Sequence, residues 1–96
     1  MAMTLAEAQA LVDRWIRAHG GYWDEFVTLA RLTEELGEVA AALQRLRGYR
    51  PVRRDTDLAL EVGDLLFILL SFANTQGLDA AACLEQVLEK YDQRDG

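Results

Sequence analysis

Apolar residues recur every three or four positions in four segments of the chain, which is the spacing of an α-helix. The pattern predicts helices over residues 5–18, 24–47, 56–75 and 80–93. Breakers separate the segments: for example, Gly48 ends the second helix and Pro51 prevents an early restart. With one proline and long stretches free of breakers, the chain is predicted to be all-α. The short connections favour a four-helix bundle with up-and-down topology.

The third predicted helix is apolar almost all round, so it is expected to be buried on most sides. Three neighbours in a chain of this size do not readily cover so much apolar surface, which predicts a homo-dimer or a homo-tetramer. Its most apolar run, residues 65–70, is much shorter than the ~20 residues of a membrane helix. No secretory signal is evident near the N-terminus. We therefore expect a cytoplasmic protein without a membrane span.

The length, net charge and cysteine content of the chain limit which kinds of protein it can be. The 96 residues predict one domain, spanning residues 1–96. The formal net charge of −6 argues against a nucleic-acid partner, which requires a basic surface. The single Cys83 excludes an intramolecular disulfide, and we expect it to be a small buried hydrophobe.

Two pairs of carboxylates interrupt the apolar helices. Glu35 and Glu38 stand three residues apart in the second helix, and Glu61 and Asp64 stand three apart in the third. Like charges at this spacing repel each other, and an ionised carboxylate against a core is costly unless it is compensated. A shared divalent cation would compensate all four. Oxygen ligands without sulfur or imidazole suit Mg²⁺ or Mn²⁺.

Other interpretations of these carboxylates stay open at this point. The pair on the second helix could be a solvated face, and the pair on the third could form buried ion pairs with Arg or Lys. A ferritin-like redox iron site is disfavoured, because such bundles use Glu-x-x-His pairs and the only histidine, His19, lies at a helix end. Both acidic pairs on adjacent helices make a metal site the better hypothesis.

Several further residues have two interpretations. Lys90 and Arg94 either complement the dipole of the last helix or bind phosphate oxygens. Asn74 either caps the third helix locally or hydrogen-bonds a ligand. Three aromatic residues are packing anchors or, less often, platforms for a nucleobase: Trp15, Tyr22 and Trp23.

The acidic pairs belong to longer strings that resemble a known family. Residues 31–40 (RLTEELGEVA) and residues 61–67 (EVGDLLF), with 22 residues between Glu38 and Glu61, follow the order Glu-Glu-x-x-Glu, spacer, Glu-x-x-Asp. This is the signature of the MazG-type all-α nucleoside triphosphate pyrophosphohydrolases. With residues 70–74 (LSFAN) and the Lys-x-x-x-Arg-Asp string at residues 90–95, the chain is similar to the small single-domain members of the YpjD type. The resemblance runs over residues 9–95.

The resemblance implies an activity. A (deoxy)nucleoside triphosphate would be hydrolysed between its α- and β-phosphorus atoms, giving the monophosphate and pyrophosphate, to remove unwanted nucleotides from the pool. Mg²⁺ is the usual ion and Mn²⁺ a possible substitute. Relatives assemble as dimers or tetramers.

The resemblance also assigns roles to residues by position. The metal ligands would be Glu35, Glu38, Glu61 and Asp64. Glu34 would position a water or bond to a group behind the ligands. Lys90 and Arg94 would hold the leaving pyrophosphate, and Asn74 would contact the base or sugar. The alternative is a non-catalytic helical oligomerisation or nucleotide-sensing module that retains the metal site, which predicts nucleotide-dependent stabilisation without product.

Overall fold

The computed structural model describes residues 2–95, so Met1 and Gly96, the two ends of the predicted domain, lie outside the described residues. Within residues 2–95 the secondary structure consists of four helices and no strands. They are α1 (Leu5–Ala18), α2 (Glu25–Leu46), α3 (Leu58–Thr75) and α4 (Ala80–Asp95). The prediction of an all-α chain with four helices is confirmed.

Local side-chain contacts set where α1 and α2 begin. The Thr4 hydroxyl accepts a hydrogen bond from the backbone N–H of Glu7, and the Glu7 carboxylate accepts one from the N–H of Thr4. This capping box satisfies two backbone donors that a helix start otherwise leaves unpaired. Asp24 does the same for α2 by accepting from the N–H groups of Phe26 and Val27.

The predicted bounds of α3 and α4 differ from the observed ones by one turn or less. α3 begins at Leu58 rather than at residue 56, because the Asp57 carboxylate accepts from the N–H of Leu60 and so acts as the cap. Asp79 caps α4 by accepting from the N–H groups of Ala81 and Ala82. α4 continues to Asp95 rather than stopping at residue 93, since no helix breaker precedes Asp95.

The chain divides into two compact units. The first contains α1, α4 and the end of α3, within residues 1–22 and 70–96, and α1 packs against α4. Its buried apolar residues are Ile16, Leu70 and Ala73. The Gln9 side chain joins the three helices of this unit: it donates to the Asn74 side chain and the Leu78 carbonyl and accepts from the N–H of Ala80.

The second unit spans residues 23–69 and contains α2 and the first part of α3. Its buried residues are Thr28, Glu35, Ala41, Ala42 and Ile68. Both predicted acidic pairs lie in this unit, so their geometry is internal to one compact body.

The expectation that α3 is buried on most sides is wrong for the single chain. Leu60 is 62% exposed, and Val62, Leu66 and Leu69 are exposed as well. The expectation that Cys83 is buried is also wrong. Cys83 is exposed, and α4 contains no buried residue within one chain. Helical periodicity marks which residues are apolar, but it does not say how much of their surface the neighbouring helices reach.

The 18 residues of α3 have a mean hydropathy of 1.6, which by length and composition alone is enough to cross a membrane. The apolar stretch is therefore longer than the run at residues 65–70 alone. A single helix of this kind is weak evidence, because core helices of soluble proteins have the same properties. This helix also carries Glu61 and Asp64, and carboxylates are costly within a bilayer.

Candidate metal centre

Three of the predicted carboxylates converge. α2 supplies Glu35, and the first two turns of α3 supply Glu61 and Asp64. One carboxylate oxygen from each residue lies within 4.8 Å of the others. The three therefore form an acidic cluster, defined here as Glu35, Glu61 and Asp64.

The cluster suits a hard divalent cation. Ligand oxygens on a Mg²⁺ octahedron with bonds of ~2.1 Å lie ~3 to ~4.2 Å apart, so small side-chain rotations would bring these oxygens onto one ion. All the donors are carboxylate oxygens, the ligand type that Mg²⁺ and Mn²⁺ prefer. The residues present thus fit such an ion in both chemistry and spacing.

The electrostatics of Glu61 show that positive charge does not offset the cluster at this residue. Burial raises the pKa of Glu61 above its ordinary value of 4.5, and the negative charges of Asp64, Glu38 and Glu35 raise it further. Neither Glu61 nor Asp64 forms an ion pair with any cationic side chain in the described part of the chain. The alternative of buried Arg or Lys pairs for these two residues therefore loses its support.

Glu35 is the buried member of the cluster, and it has a cationic neighbour. Its side chain is 11% exposed, and its Oε1 lies 3.0 Å from Nη2 of Arg31 one turn earlier on α2. The other terminal nitrogen of Arg31 lies 2.9 Å from the carboxylate of Glu34. Glu34 is an exposed residue outside the acidic cluster.

Glu38 is exposed and stands outside the group of three oxygens. Its negative charge nevertheless contributes to the raised pKa of Glu61, so the carboxylate lies within electrostatic range of the cluster. The structure thus brings Glu35, Glu61 and Asp64 together and leaves Glu38 at their margin.

The predicted substrate residues lie in the other unit. Lys90 and Arg94 are both exposed on α4, and Arg94 lies 3.6 Å from the Asp95 carboxylate with its guanidinium over the Tyr91 ring. Asn74 is half-buried, and its amide is engaged: it donates to the Gln9 carbonyl at 3.1 Å and accepts from the Gln9 side chain at 3.0 Å.

The aromatic residues near the helix ends contact charged or aromatic side chains. Trp15 stacks on His19 with ring centres 4.0 Å apart, and His19 is the exposed C-cap of α1. The Tyr22 hydroxyl donates a short hydrogen bond to Asp13, and Trp23 lies under the guanidinium of Arg31. Trp15 and Trp23 are nevertheless 54% and 57% exposed within the single chain, so neither is a core residue of its unit.

Two residues that the sequence reasoning did not single out have marked contacts in the structure, namely Arg31 and Gln9. The signal for Arg31 was available, because an arginine three and four residues before two glutamates can reach both on a helix. Gln9 had no such signal, since its partners lie 65 or more residues away along the chain.

Comparison with known proteins decides the family. The model of the MazG nucleotide pyrophosphohydrolase domain matches residues 25–96, which include both acidic pairs. The chain belongs to the MazG family.

Individual MazG relatives are similar to this protein along nearly the whole chain. The uncharacterized protein YpjD of Bacillus subtilis (strain 168) is 35% identical over 96% of this chain and 86% of its own length. The crystal structure of YpjD from Bacillus subtilis matches with a TM-score of 0.84 at 34% identity, covering 95% of this chain and 97% of that one. The crystal structure of the Bacillus-conserved MazG protein, a nucleotide pyrophosphohydrolase, matches with a TM-score of 0.82 at 31% identity, covering 94% and 90%.

Membership in the MazG family supports a hydrolase acting on nucleotides. The acidic cluster agrees with the general metal dependence of these hydrolases. The shared fold also favours α3 as a helix of a soluble protein rather than as a membrane span.

Proposed function

We propose that this protein hydrolyses (deoxy)nucleoside triphosphates to the monophosphate and pyrophosphate with Mg²⁺, as a cytoplasmic enzyme that removes unwanted nucleotides. The observation that carries the proposal is the convergence of Glu35, Glu61 and Asp64 within 4.8 Å, in a chain of the MazG family. Glu61 and Asp64 have no cationic partner among the described residues, and a bound cation would offset the repulsion between the gathered carboxylates.

The proposed roles follow from the position of each carboxylate. Glu35, Glu61 and Asp64 would hold Mg²⁺, or Mn²⁺ as a substitute. When bound, the ion would supply positive charge to offset that of the phosphate oxygens and would lower the pKa of the attacking water. Glu38, at the margin of the cluster, would either complete the ligand set or accept the proton of that water.

The reaction is a displacement at the α-phosphorus. The water oxygen forms a bond to the α-phosphorus, and the bond from that phosphorus to the oxygen bridging to the β-phosphorus breaks. The electron pair of the broken bond leaves with pyrophosphate, and a carboxylate takes the proton of the water. Glu34, which is turned toward Arg31, supports the ligand set from outside rather than binding the ion.

Three further residues would bind the rest of the substrate. Lys90 and Arg94 are exposed cations on α4, suited to pyrophosphate oxygens. Asn74 would contact the base or sugar, for which its amide would have to exchange its bonds with Gln9 or share them.

The proposal includes assembly as a homo-dimer or homo-tetramer. The support is the apolar surface that one chain leaves open on the two helices that carry the cluster. On α2, Leu36 is 57% exposed and Leu43 and Leu46 are also exposed, while Leu60 and Leu66 are exposed on α3. Large apolar side chains left exposed on a helix are typical of protein–protein contacts where they form a continuous patch.

Release of pyrophosphate from a panel of canonical, deoxy and modified nucleoside triphosphates tests the proposal, with Mg²⁺ and with chelator. We expect metal-dependent release of pyrophosphate and monophosphate by the wild type and none from Glu38→Gln or Asp64→Asn. Glu85→Gln is the matched control, because it neutralises an exposed carboxylate on α4 outside the acidic cluster. Circular dichroism checks that each variant keeps its helices.

Two outcomes contradict the proposal. Full activity in folded Asp64→Asn would show that the assigned residues are not the site. Stabilisation by nucleotide without any product, in a wild type that binds the metal, would assign the non-catalytic nucleotide-sensing role instead.

A further inference from the structure

The guanidinium of Arg31 is held on three sides within the unit that carries the acidic cluster. Its Nη1 lies 2.9 Å from Oε2 of Glu34, and its Nη2 lies 3.0 Å from Oε1 of Glu35. Its central carbon lies 5.9 Å from the centre of the Trp23 ring. One terminal nitrogen thus faces a cluster carboxylate, and the other faces an exposed carboxylate outside the cluster.

Helix stabilisation does not account well for this arrangement. An ion pair four residues apart stabilises a helix more when the acid precedes the base, and Arg31 precedes Glu35. The Nε of Arg31 is buried and has no hydrogen-bond partner among the described residues. A solvated arginine would keep that donor in water, so the position of Arg31 has a cost that the helix alone does not repay.

The contact with Arg31 involves a carboxylate that also belongs to the acidic cluster. Arg31 engages Oε1 of Glu35, while the carboxylate as a whole supplies an oxygen to the group of three. Without a cation nearby, Glu35 would be repelled by Glu61 and Asp64 and would tend to rotate away from them. A side chain behind a ligating residue commonly fixes its orientation in metal sites.

We infer that Arg31 is a positioning residue of the metal centre: its guanidinium orients the Glu35 carboxylate toward Glu61 and Asp64, and Glu34 and Trp23 hold the guanidinium. This inference rests on the proposed function, in which the acidic cluster binds a divalent cation. It gives Glu34 a definite part, as the outer tether of Arg31 rather than as a ligand.

Binding of Mn²⁺ alone, without nucleotide, tests the inference by a readout that is independent of catalysis. The electron paramagnetic resonance signal of free Mn²⁺ gives the Kd during a titration. Arg31→Met keeps an unbranched aliphatic side chain of similar helix propensity but removes the guanidinium. We expect its Kd for Mn²⁺ to rise about 10- to 100-fold, the range for loss of a residue that orients a metal ligand.

The chain offers a closely matched control. Arg17 pairs with Asp13 at 3.0 Å on α1, and its guanidinium lies 5.7 Å from the centre of the Tyr22 ring. It therefore makes the same kinds of contact as Arg31, but in the unit without the acidic cluster. Arg17→Met should leave the Kd for Mn²⁺ unchanged.

A second variant tests whether the positive charge of Arg31 is enough or whether the planar shape of its guanidinium is needed. Arg31→Lys keeps the positive charge, but one ammonium group cannot reproduce the planar fork that reaches Glu34 and Glu35 together. We expect its Kd to stay several-fold above that of the wild type. Because its charge and stem are retained, this variant also decides the matter if Arg31→Met does not fold, as judged by circular dichroism.

Three results would overturn the inference in different ways. Wild-type affinity in folded Arg31→Met would show that Glu35 needs no orientation. Tighter binding in that variant would show that the guanidinium competes with the metal instead of positioning its ligand. Absence of Mn²⁺ binding by the wild type would refute the proposed function itself, and with it the basis of the inference.

Discussion

Replacement of Gln9 by alanine is expected to destabilise the unit formed by α1, α4 and the end of α3 by ~2 kcal/mol. The Gln9 Nε2 donates to the Asn74 side chain at 3.0 Å and to the Leu78 carbonyl at 2.9 Å. Its Oε1 accepts from the N–H of Ala80, at the start of α4, at 2.8 Å. Alanine removes all three bonds while keeping the helix propensity of α1.

The magnitude follows from the number of bonds and from their exposure. A typical hydrogen bond contributes about 0.5–1.5 kcal/mol net, so three of them give a range of about 1.5–4.5 kcal/mol. The lower part of this range applies, because the groups are only partly buried and water can replace some of the lost bonds. For a chain of this length, ~2 kcal/mol corresponds to a fall in Tm of ~8 to ~16 °C.

Thermal and urea unfolding followed by far-ultraviolet circular dichroism measure the effect. Protein concentration is held fixed, because the stability of an oligomer depends on it. Gln86→Ala is the control, since it removes the same amide from an exposed position on α4, with an expected change within about 0.5 kcal/mol. The affinity for Mn²⁺ should survive in Gln9→Ala, because the acidic cluster lies in the other unit.

Equal unfolding midpoints for Gln9→Ala and Gln86→Ala would refute the reasoning, because the three bonds would then contribute nothing. The same unfolding assay, together with the KM for nucleotide, tests the role of Asn74, whose amide pairs with Gln9. If Asn74→Ala unfolds as early as Gln9→Ala and keeps the wild-type KM, the amide is structural and the predicted contact with base or sugar fails.

Three further predictions concern charge, capping and assembly. In metal-free protein at neutral pH, Glu61→Gln should unfold at a higher temperature than the wild type, because burial and the neighbouring carboxylates raise the pKa of Glu61 above 4.5 and its ionised form opposes folding. This gain in stability should shrink as the pH falls through the raised pKa and vanish below pH 4.5. A gain that does not change with pH would contradict this cause. Thr4→Ala should cost about 1 kcal/mol in urea unfolding by removing the capping box of α1, whereas Thr4→Ser should cost much less. Leu36→Lys should convert the proposed oligomer to a monomer, since this exposed leucine belongs to the open apolar face of α2. Sedimentation velocity measures the mass, and an unchanged mass would place the interface elsewhere.

The positions of the helices could be predicted closely from the sequence, because they depend on neighbours in the chain. The capping residues Thr4, Asp24 and Asp79, together with the apolar period, locate three of the four helix starts to within one residue. The start of α3 was placed too early, since Thr56 and Asp57 both suit a helix start and only the bond from Leu60 to Asp57 decides between them. The two acidic pairs were found for the same local reason, as residues three apart share a helix face.

The arrangement of the site depended on contacts between helices, which periodicity does not contain. Helical spacing gives the angle of a side chain about its own axis, but the distance from Glu35 to Glu61 and Asp64 depends on the tilt and separation of α2 and α3. Only the tertiary structure therefore separates the three converging carboxylates from Glu38. It also leaves Leu60, Val62, Leu66 and Leu69 of α3 exposed within one chain while other residues of that helix are buried. The sequence by itself determined the helices, their caps and the residues able to bind a metal; the fold decided which of those residues meet, because packing brings together atoms that are far apart along the chain.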